Sequence, residues 1–508
     1  MENDKHDNGR NGTYRNTIKY LGIFGGAQGL SILLNMVRTK ITSKLLGASG
    51  LSIIALSNRT VQMFSDCTGL SLGLSAVRKM SDAYENCDAA AVEHAVKVIR
   101  SIAFLAGLVG VLVMLVALPF ISDWVFEDAS AYYLPRMMLF SPVVFFMAVS
   151  NGEIAILRGT RRLGKVAVYT LLSSLVSLSV AVPLYFIAGI GGVFPAIILT
   201  AFLQMCILLY FSLPLYRYRI APFALRLLCE GLDMIKLGAG YIFASIMTSF
   251  AMWLVLAMLS DVGDGTTAGL FSAGFTMVTL LPGVLFAALD SEYYPRLSGV
   301  ASNRDLCNSI VNEQVEVQLL VQSPLLMLFA VAMPLLVPLL YEGEFAPAVI
   351  MAQTAMVGMF MRTMTYPLSF MPLVKNDTMA FVFLEAVYNI LFVACIVLGY
   401  MSYGFLGVGA GMAVVHLLDF LAVYTVVRCR YGISLSANTM RCFMFLSPLF
   451  AVVVVISILW GGGWHYWFAG ILCVLCSSGL VAYILLRRIR LSDTLMSVFN
   501  KAFTKFKK

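Results

Sequence analysis

Apolar stretches of about 20 residues, each long enough to cross a hydrocarbon layer of about 30 Å, recur along this chain from Ile18 to Tyr483. No other feature limits the fold as strongly, because backbone amides in hydrocarbon must bond within their own helix or within a closed barrel. These stretches are too long for barrel strands, so they are expected to be helices. Composition agrees. Of 508 residues, 60% are hydrophobic and 12% charged, with mean hydropathy +0.87, which leaves too little polar surface for a water-soluble globule. The expected fold class is all-α, a polytopic integral membrane protein. About fourteen transmembrane helices are expected, at 18–46, 51–77, 98–121, 132–157, 165–188, 192–215, 234–260, 266–290, 315–340, 347–373, 378–400, 404–427, 440–460 and 464–486.

Charge fixes the topology. Of the 35 Lys and Arg residues, Arg38, Lys40, Lys44, Arg59, Arg136 and Arg362 sit inside apolar segments. The remainder fall in both termini and in alternate connections, whereas the other connections carry no base and the acids Asp123, Glu127, Asp128, Asp261, Asp264, Glu342 and Glu344. Positive charge marks the cytoplasmic face, so both termini are expected there and the acidic connections on the outside. Trp124, Trp253, Trp460, Trp464 and Trp467 lie at or near the expected outer helix ends, where indoles favour the headgroup boundary. The polar, Asn-rich first 17 residues lead into a span too long for a signal-peptide core, so the first helix is expected to remain as an anchor.

A six-helix unit is expected to occur twice. Ile18-Lys19 before a Gly-rich run returns as Ile235-Lys236-Leu237-Gly238, and Ser49-Gly50-Leu51-Ser52 returns as Ala268-Gly269-Leu270-Phe271. Six is even, so both copies enter the membrane in the same direction and form two parallel bundles. The expected organisation is a tail at 1–17, an N-lobe of six helices at 18–230, a C-lobe of six at 231–430, and two added helices with a basic tail at 431–508. The inter-lobe linker is placed between Tyr216 and Asp233.

Helix one carries Gln28, Ser31, Asn35, Arg38 and Thr42 at spacings of three and four, and helix two carries Arg59, Gln62 and Asp66 likewise. Such stripes face one way, and a cation turned to lipid costs about 3 kcal/mol. Arg38, Arg59 and Arg362, with Gln28, Asn35 and Gln62, are therefore candidates to line a polar cavity. The bland alternative is a structural pair such as Arg59 with Asp66; for Lys40, Lys44 and Arg136 it is snorkelling to the boundary. The acids inside spans, Asp66, Glu153, Glu385 and Asp419, together with His416, could bind H⁺ or Na⁺ and couple it to transport, or belong to buried hydrogen-bond networks. Gln314, Gln318 and Gln322 could bond sugar hydroxyls or neighbouring helices. The ten cysteines avoid the outer connections, and Cys473-x-x-Cys476 lacks a second ligand pair, so no disulfide framework, metal site or other cofactor is expected beyond a coupling ion. No nucleophile, nucleotide-binding or nucleic-acid motif appears, which points away from an enzyme and from nucleic acid as a partner.

The segment from Lys44 to Arg78, KLLGASGLSIIALSNRTVQMFSDCTGLSLGLSAVR, resembles the second-helix region of Wzx-type polysaccharide flippases. Asn151-Gly152-Glu153 leading to Ile156-Leu157-Arg158-Gly159, Tyr294-Pro295-Arg296-Leu297-Ser298 and the stretch from Tyr341 to Cys429 extend it. In flavour the chain is similar to O-antigen and lipid III flippases of the multidrug/oligosaccharidyl-lipid/polysaccharide exporter (MOP) superfamily. That resemblance implies a V-shaped pair of bundles in the bacterial inner membrane, working by alternating access. The cargo it implies is an undecaprenyl-diphosphate-linked oligosaccharide, with membrane lipids, a polysaccharide polymerase and chain-length proteins as partners. A diphosphate wants Arg forks and amides. The alternatives are a cation-coupled multidrug exporter, which would favour an acidic cavity, and a membrane-embedded glycan transferase or polymerase, which would show a large polar outer loop.

Overall fold

A computed structural model of the chain describes residues 3–69, 72–85, 89–126, 130–217, 219–221, 239–461 and 463–488. Among them the regular elements are all helical. In chain order they are α1 (Asn3–Thr68), α2 (Leu72–Glu85), α3 (Ala89–Phe126), α4 (Ser130–Phe140), α5 (Pro142–Gly159), α6 (Leu163–Ala188), α7 (Val193–Ser212), α8 (Ala239–Val262), α9 (Thr267–Ser298), α10 (Arg304–Leu340), α11 (Ala346–Ser369), α12 (Met371–Val374), α13 (Thr378–Tyr431), α14 (Ala437–Trp460) and α15 (Trp464–Arg488). Nine helical stretches of the described residues are long and apolar enough to cross a membrane. Two of these, Leu163–Ser212 and Thr378–Tyr431, each hold two expected spans. The expected span 18–46 falls on α1 and 266–290 on α9, whereas 51–77 is divided between the end of α1 at Thr68 and the start of α2 at Leu72. The chain is a multi-pass helical membrane protein. The linker residues 222–233, the tail from 489 and the side chain of Arg136 lie outside what is described.

Long helices break at glycine. Within the 66 residues of α1, Gly47 adopts φ 64°, ψ −168°, and within the 54 of α13, Gly404 adopts φ 58°, ψ −138°. Only glycine enters that region without steric cost, so each break splits one apolar run into two arms, and those of α13 fold back until Gly399 meets Gly407. At the α1 break the freed Ala48 N–H donates to Glu344 Oε2 at 3.0 Å. A carboxylate placed there also complements the positive end of the arm that follows.

The chain divides into two compact units, one of Met1–Ser272 with Leu339–Glu344, the other of Ala273–Pro338 with Phe345–Lys508. In the first, α3 and α5 approach closely because Gly107 and Gly110 leave room for Phe145 and Val144, and Ile99, Ala103, Ala155 and Ile156 fill the seam. The pair is fastened by a charge. Arg100, 2% exposed, grips Glu153, 1% exposed, through Nε at 2.7 Å and Nη2 at 3.0 Å. The same guanidinium donates to Ser212 Oγ and to the carbonyls of Tyr216 and Arg217. Arg100 belongs by sequence to a basic connection; the structure buries it among α3, α5 and the end of α7. The quasi-repeated glycine segments also meet, since a Cβ on Gly269 would fall 2.2 Å from the Ala48 carbonyl. Residues 339–344 return to α1, where Lys40 pairs with Glu342 at 3.2 Å and donates to the Tyr341 carbonyl at 2.8 Å.

In the second unit the arms of α13 touch at Gly399, Gly407 and Gly411, and Gly358 and Gly409 bring α11 against the later arm. Small residues allow helices in lipid to pack backbone to backbone. The pair α14–α15 docks through Phe450 and Phe443 stacked on Phe360 and through Tyr466, whose hydroxyl donates to the Val331 carbonyl at 2.7 Å and accepts from Gln353 Nε2 at 2.8 Å. At the basic end Asp377 caps α13 by accepting from Ala380 N at 3.1 Å, and also accepts from Tyr431 Oη at 2.9 Å and from Arg430 Nε. The Ala380 amide, ahead of the Tyr431 and Arg430 donors, holds its carboxyl below the usual carboxylate range.

A depressed folded pKa means that this stabilisation is complete above the unfolded value of about 4 and fades as pH falls through the folded one. Asp377→Asn is therefore expected to lower the melting temperature at pH 7, with the gap to the native chain closing toward pH 3. A gap constant over that range in a detergent melting series counts against the cap.

Candidate functional site

The polar groups inside the helices form two clusters, one in each unit. In the first unit the leading arm of α1 presents its stripe to α6. Ser31 Oγ meets Ser174 Oγ, and Asn35 Nδ2 donates to the Ser31 carbonyl at 2.9 Å and to Ser174 Oγ at 3.4 Å. Arg38 Nη1 donates to Ser177 Oγ. Gln28 is exposed, and Asn35 and Arg38 are half-buried. The second arm turns to another partner, for Asp66 accepts from Gln62 Nε2 at 2.9 Å and from Ser249 Oγ on α8. Trp253 Nε1 on the same helix donates to Thr60 Oγ1 at 3.0 Å. The two stripes thus bond to different helices.

Arg59, half-buried, makes no hydrogen bond or ion pair with any described residue. Asp66, its expected structural partner, is within electrostatic reach of it but makes its direct bonds to Gln62 and Ser249. Arg38 has a neutral hydroxyl as its described partner, so neither guanidinium is matched by a contacting carboxylate. Lys44 is exposed. Glu153, by contrast, is spoken for by Arg100.

The second cluster centres on Arg362 of α11. Its guanidinium carbon lies 5.8 Å from the ring centre of Phe286 and 5.5 Å from that of Tyr366, both within cation–π range. Glu385, Tyr388, His416 and Asp419 of α13 are within electrostatic reach of Arg362. Neither acid forms a direct ion pair with Arg362 among the described residues. The Tyr388 and His416 rings are 5.8 Å apart, and His416 is 3% exposed. Glu385, His416 and Asp419 thus come together, whereas Asp66 and Glu153 lie in the other unit. Gln318 and Gln322 are wholly buried inside their unit, away from any sugar.

An apolar cavity of about 620 Å³ in the first unit, walled by Phe146, Phe194 and Phe202, contains none of these groups. No group of three or more His, Cys, Asp or Glu side chains suited to a metal occurs among the described residues. Sequence reasoning missed Ser174, Ser177, Ser249, Tyr366, Tyr388 and Phe286; a serine or aromatic in an apolar helix carries no signal that separates it from packing.

The fold is similar to that of solved membrane transporters of the MOP superfamily. A lipid II flippase, MurJ, in an inward closed conformation, superposes with TM-score 0.70 at 14% identity over 91% of this chain and 98% of that one. An inward-facing multidrug resistance MATE family transporter of the MOP superfamily does so with TM-score 0.65 at 15% identity, over 79% and 94%. A MOP superfamily transporter from Pyrococcus furiosus, reported to have a binding pocket of reversed polarity, gives 0.52 at 14%, over 81% and 94%. No curated protein matches the chain. The chain belongs to the polysaccharide biosynthesis protein family, whose model matches residues 88–350.

Proposed function

We propose that the chain is a flippase that carries an undecaprenyl-diphosphate-linked oligosaccharide from the cytoplasmic to the outer leaflet of a bacterial inner membrane, for surface polysaccharide synthesis. It is read as a transporter and not an enzyme, with both termini cytoplasmic. The observation that carries this reading is the state of Arg38 and Arg59, two guanidiniums in α1 without a contacting carboxylate. Holding a cation inside a membrane costs about 3 kcal/mol, and an anionic cargo offsets that cost only while it is bound. A diphosphate accepts forked Arg hydrogen bonds, and Gln28, Asn35 and Gln62 supply amides for sugar hydroxyls. Membership of the family and the MurJ-like fold support the same reading.

Arg362 has aromatic walls on one side and Glu385 and Asp419 within reach on the other. That arrangement suits an exchange in which H⁺ or Na⁺ on the acids alternates with an anion at Arg362, driving alternating access. Depletion of the chain is expected to trap lipid-linked sugar in the inner leaflet, and Glu385→Gln or Asp419→Asn to flatten the dependence of export on pH or Na⁺. Unchanged leaflet distribution on depletion removes the flippase reading. A wild-type ion profile in both variants removes the coupling alone.

A further inference from the structure

The turn between α5 and α6 joins two apolar stretches long enough to cross a membrane, Met137–Gly159 and Leu163–Ser212, so it lies at a membrane surface. Arg162 N donates to the Leu157 carbonyl at 2.9 Å and Arg161 N to the Arg158 carbonyl at 3.0 Å. That pair of bonds closes a helix around one residue in the left-handed region, where glycine is the usual occupant. Here the occupant is Arg161, at φ 57°. Glycine would fill the position at less cost, and strain of this kind gathers at functional positions.

Three more guanidiniums stand near it. Arg158, Arg162 and Arg217 are exposed, and their side chains make no hydrogen bond or ion pair with a described residue. The Tyr216 hydroxyl bonds to Thr160 and lies within electrostatic reach of Arg162, which brings the chain after α7 against the turn. Acids do little to cancel this charge. No Asp or Glu occurs from 154 to 229, Glu153 is held by Arg100 and Glu93 by Arg219, and α2, packed on α5 where Gly159 meets Met80, carries two bases and two acids. In the second unit, by contrast, bases at helix ends are used internally: Arg296 on Glu313, Arg304 on the Gly432 carbonyl and Arg430 on Asp377.

We propose that Arg158, Arg161, Arg162 and Arg217 form a site on the first unit that binds the phosphate of an anionic phospholipid headgroup. An arginine fork takes two phosphate oxygens, and a cluster of four bases beside a membrane span attracts anionic headgroups. Leu163, 44% exposed, follows Arg162, and Leu213, 41% exposed, precedes Tyr216. Those side chains give the acyl chains an apolar wall, which a water-soluble acidic protein would leave uncovered. The inference needs only that the turn meets a membrane surface, and it holds whatever the cargo and whichever face is cytoplasmic.

Native mass spectrometry of the full chain in detergent, titrated with phosphatidylglycerol or phosphatidylcholine of identical acyl chains, tests it. Phosphatidylglycerol is expected to bind about tenfold more tightly. The triple variant Arg158→Gln, Arg162→Gln, Arg217→Gln should lose most of that preference, whereas Arg428→Gln with Arg441→Gln, at two exposed bases of the second unit, should keep it. Arg161→Gly relaxes the backbone, so its melting temperature should not fall, yet its affinity for phosphatidylglycerol should drop about threefold. Equal binding of the two lipids by the native chain, undiminished preference in the triple variant or in Arg161→Gly, or an equal loss in the second-unit pair overturns the proposal. Binding of a short polyglutamate in place of the lipid would mark the patch as a contact for an acidic protein and overturn it too. The native comparison and Arg161→Gly decide by themselves if the triple variant does not fold.

Discussion

Alanine at Glu153 is expected to cost about 3 to 5 kcal/mol of stability, a large share of the 5 to 15 kcal/mol that holds a typical fold together. The reason is not the pair's own strength. Removing the carboxylate leaves the Arg100 guanidinium, 2% exposed, in an interior without its contacting carboxylate, among neutral groups that include the Ser212 hydroxyl and the Tyr216 and Arg217 carbonyls. Arg100→Ala should do comparable damage by stranding Glu153, and the double change to apolar residues of similar volume should recover much of the loss. Thermal unfolding of the purified protein in detergent measures all three. A melting temperature within a degree of native for Glu153→Ala would mean that the pair is not what joins α3 to α5.

Arg38→Ala and Arg59→Ala make the opposite case. Arg38 gives up one hydrogen bond to a hydroxyl, worth about 1 kcal/mol, and Arg59 gives up no described partner, so both variants should insert and fold. Surface glycan should nevertheless fall by at least about tenfold in each, the consequence of losing a charged hydrogen bond of about 1.5 kcal/mol or more to the cargo. Normal glycan in both variants, with expression verified by immunoblot, would leave the two guanidiniums without a role in transport.

Much of this fold is legible because hydrocarbon permits so few backbone solutions. A run such as 378–431 can only be helix, and its length together with glycine near the middle marks a hairpin before any coordinates are seen. Fixed-interval stripes are equally legible, and Asn35 bonded to the Ser31 carbonyl is the spacing of four made visible. What escapes is whatever depends on which helix stands opposite. Arg100 is counted with a basic connection because nothing local ties it to an acid 53 positions away, and Asp66 invites pairing with nearby Arg59 when its hydroxyl partner lies 183 positions on. The glutamines of α10 have the same spacing as a ligand-facing stripe, and only packing reveals that two of them are enclosed. Periodicity fixes which residues share a face but is silent on what that face meets.

The bonds around Arg100 also bear on how this molecule can be cut and tagged. Residues past the end of α7 are joined to the bundle by the Tyr216 and Arg217 carbonyls, by Ala221 N donating to Ser101 Oγ at 2.9 Å, and by Arg219 paired with Glu93 at 2.6 Å. An epitope, protease site or split-protein junction inserted between 216 and 221 would therefore pull on the interior of the bundle, and an engineer dividing the chain should open it beyond Ala221.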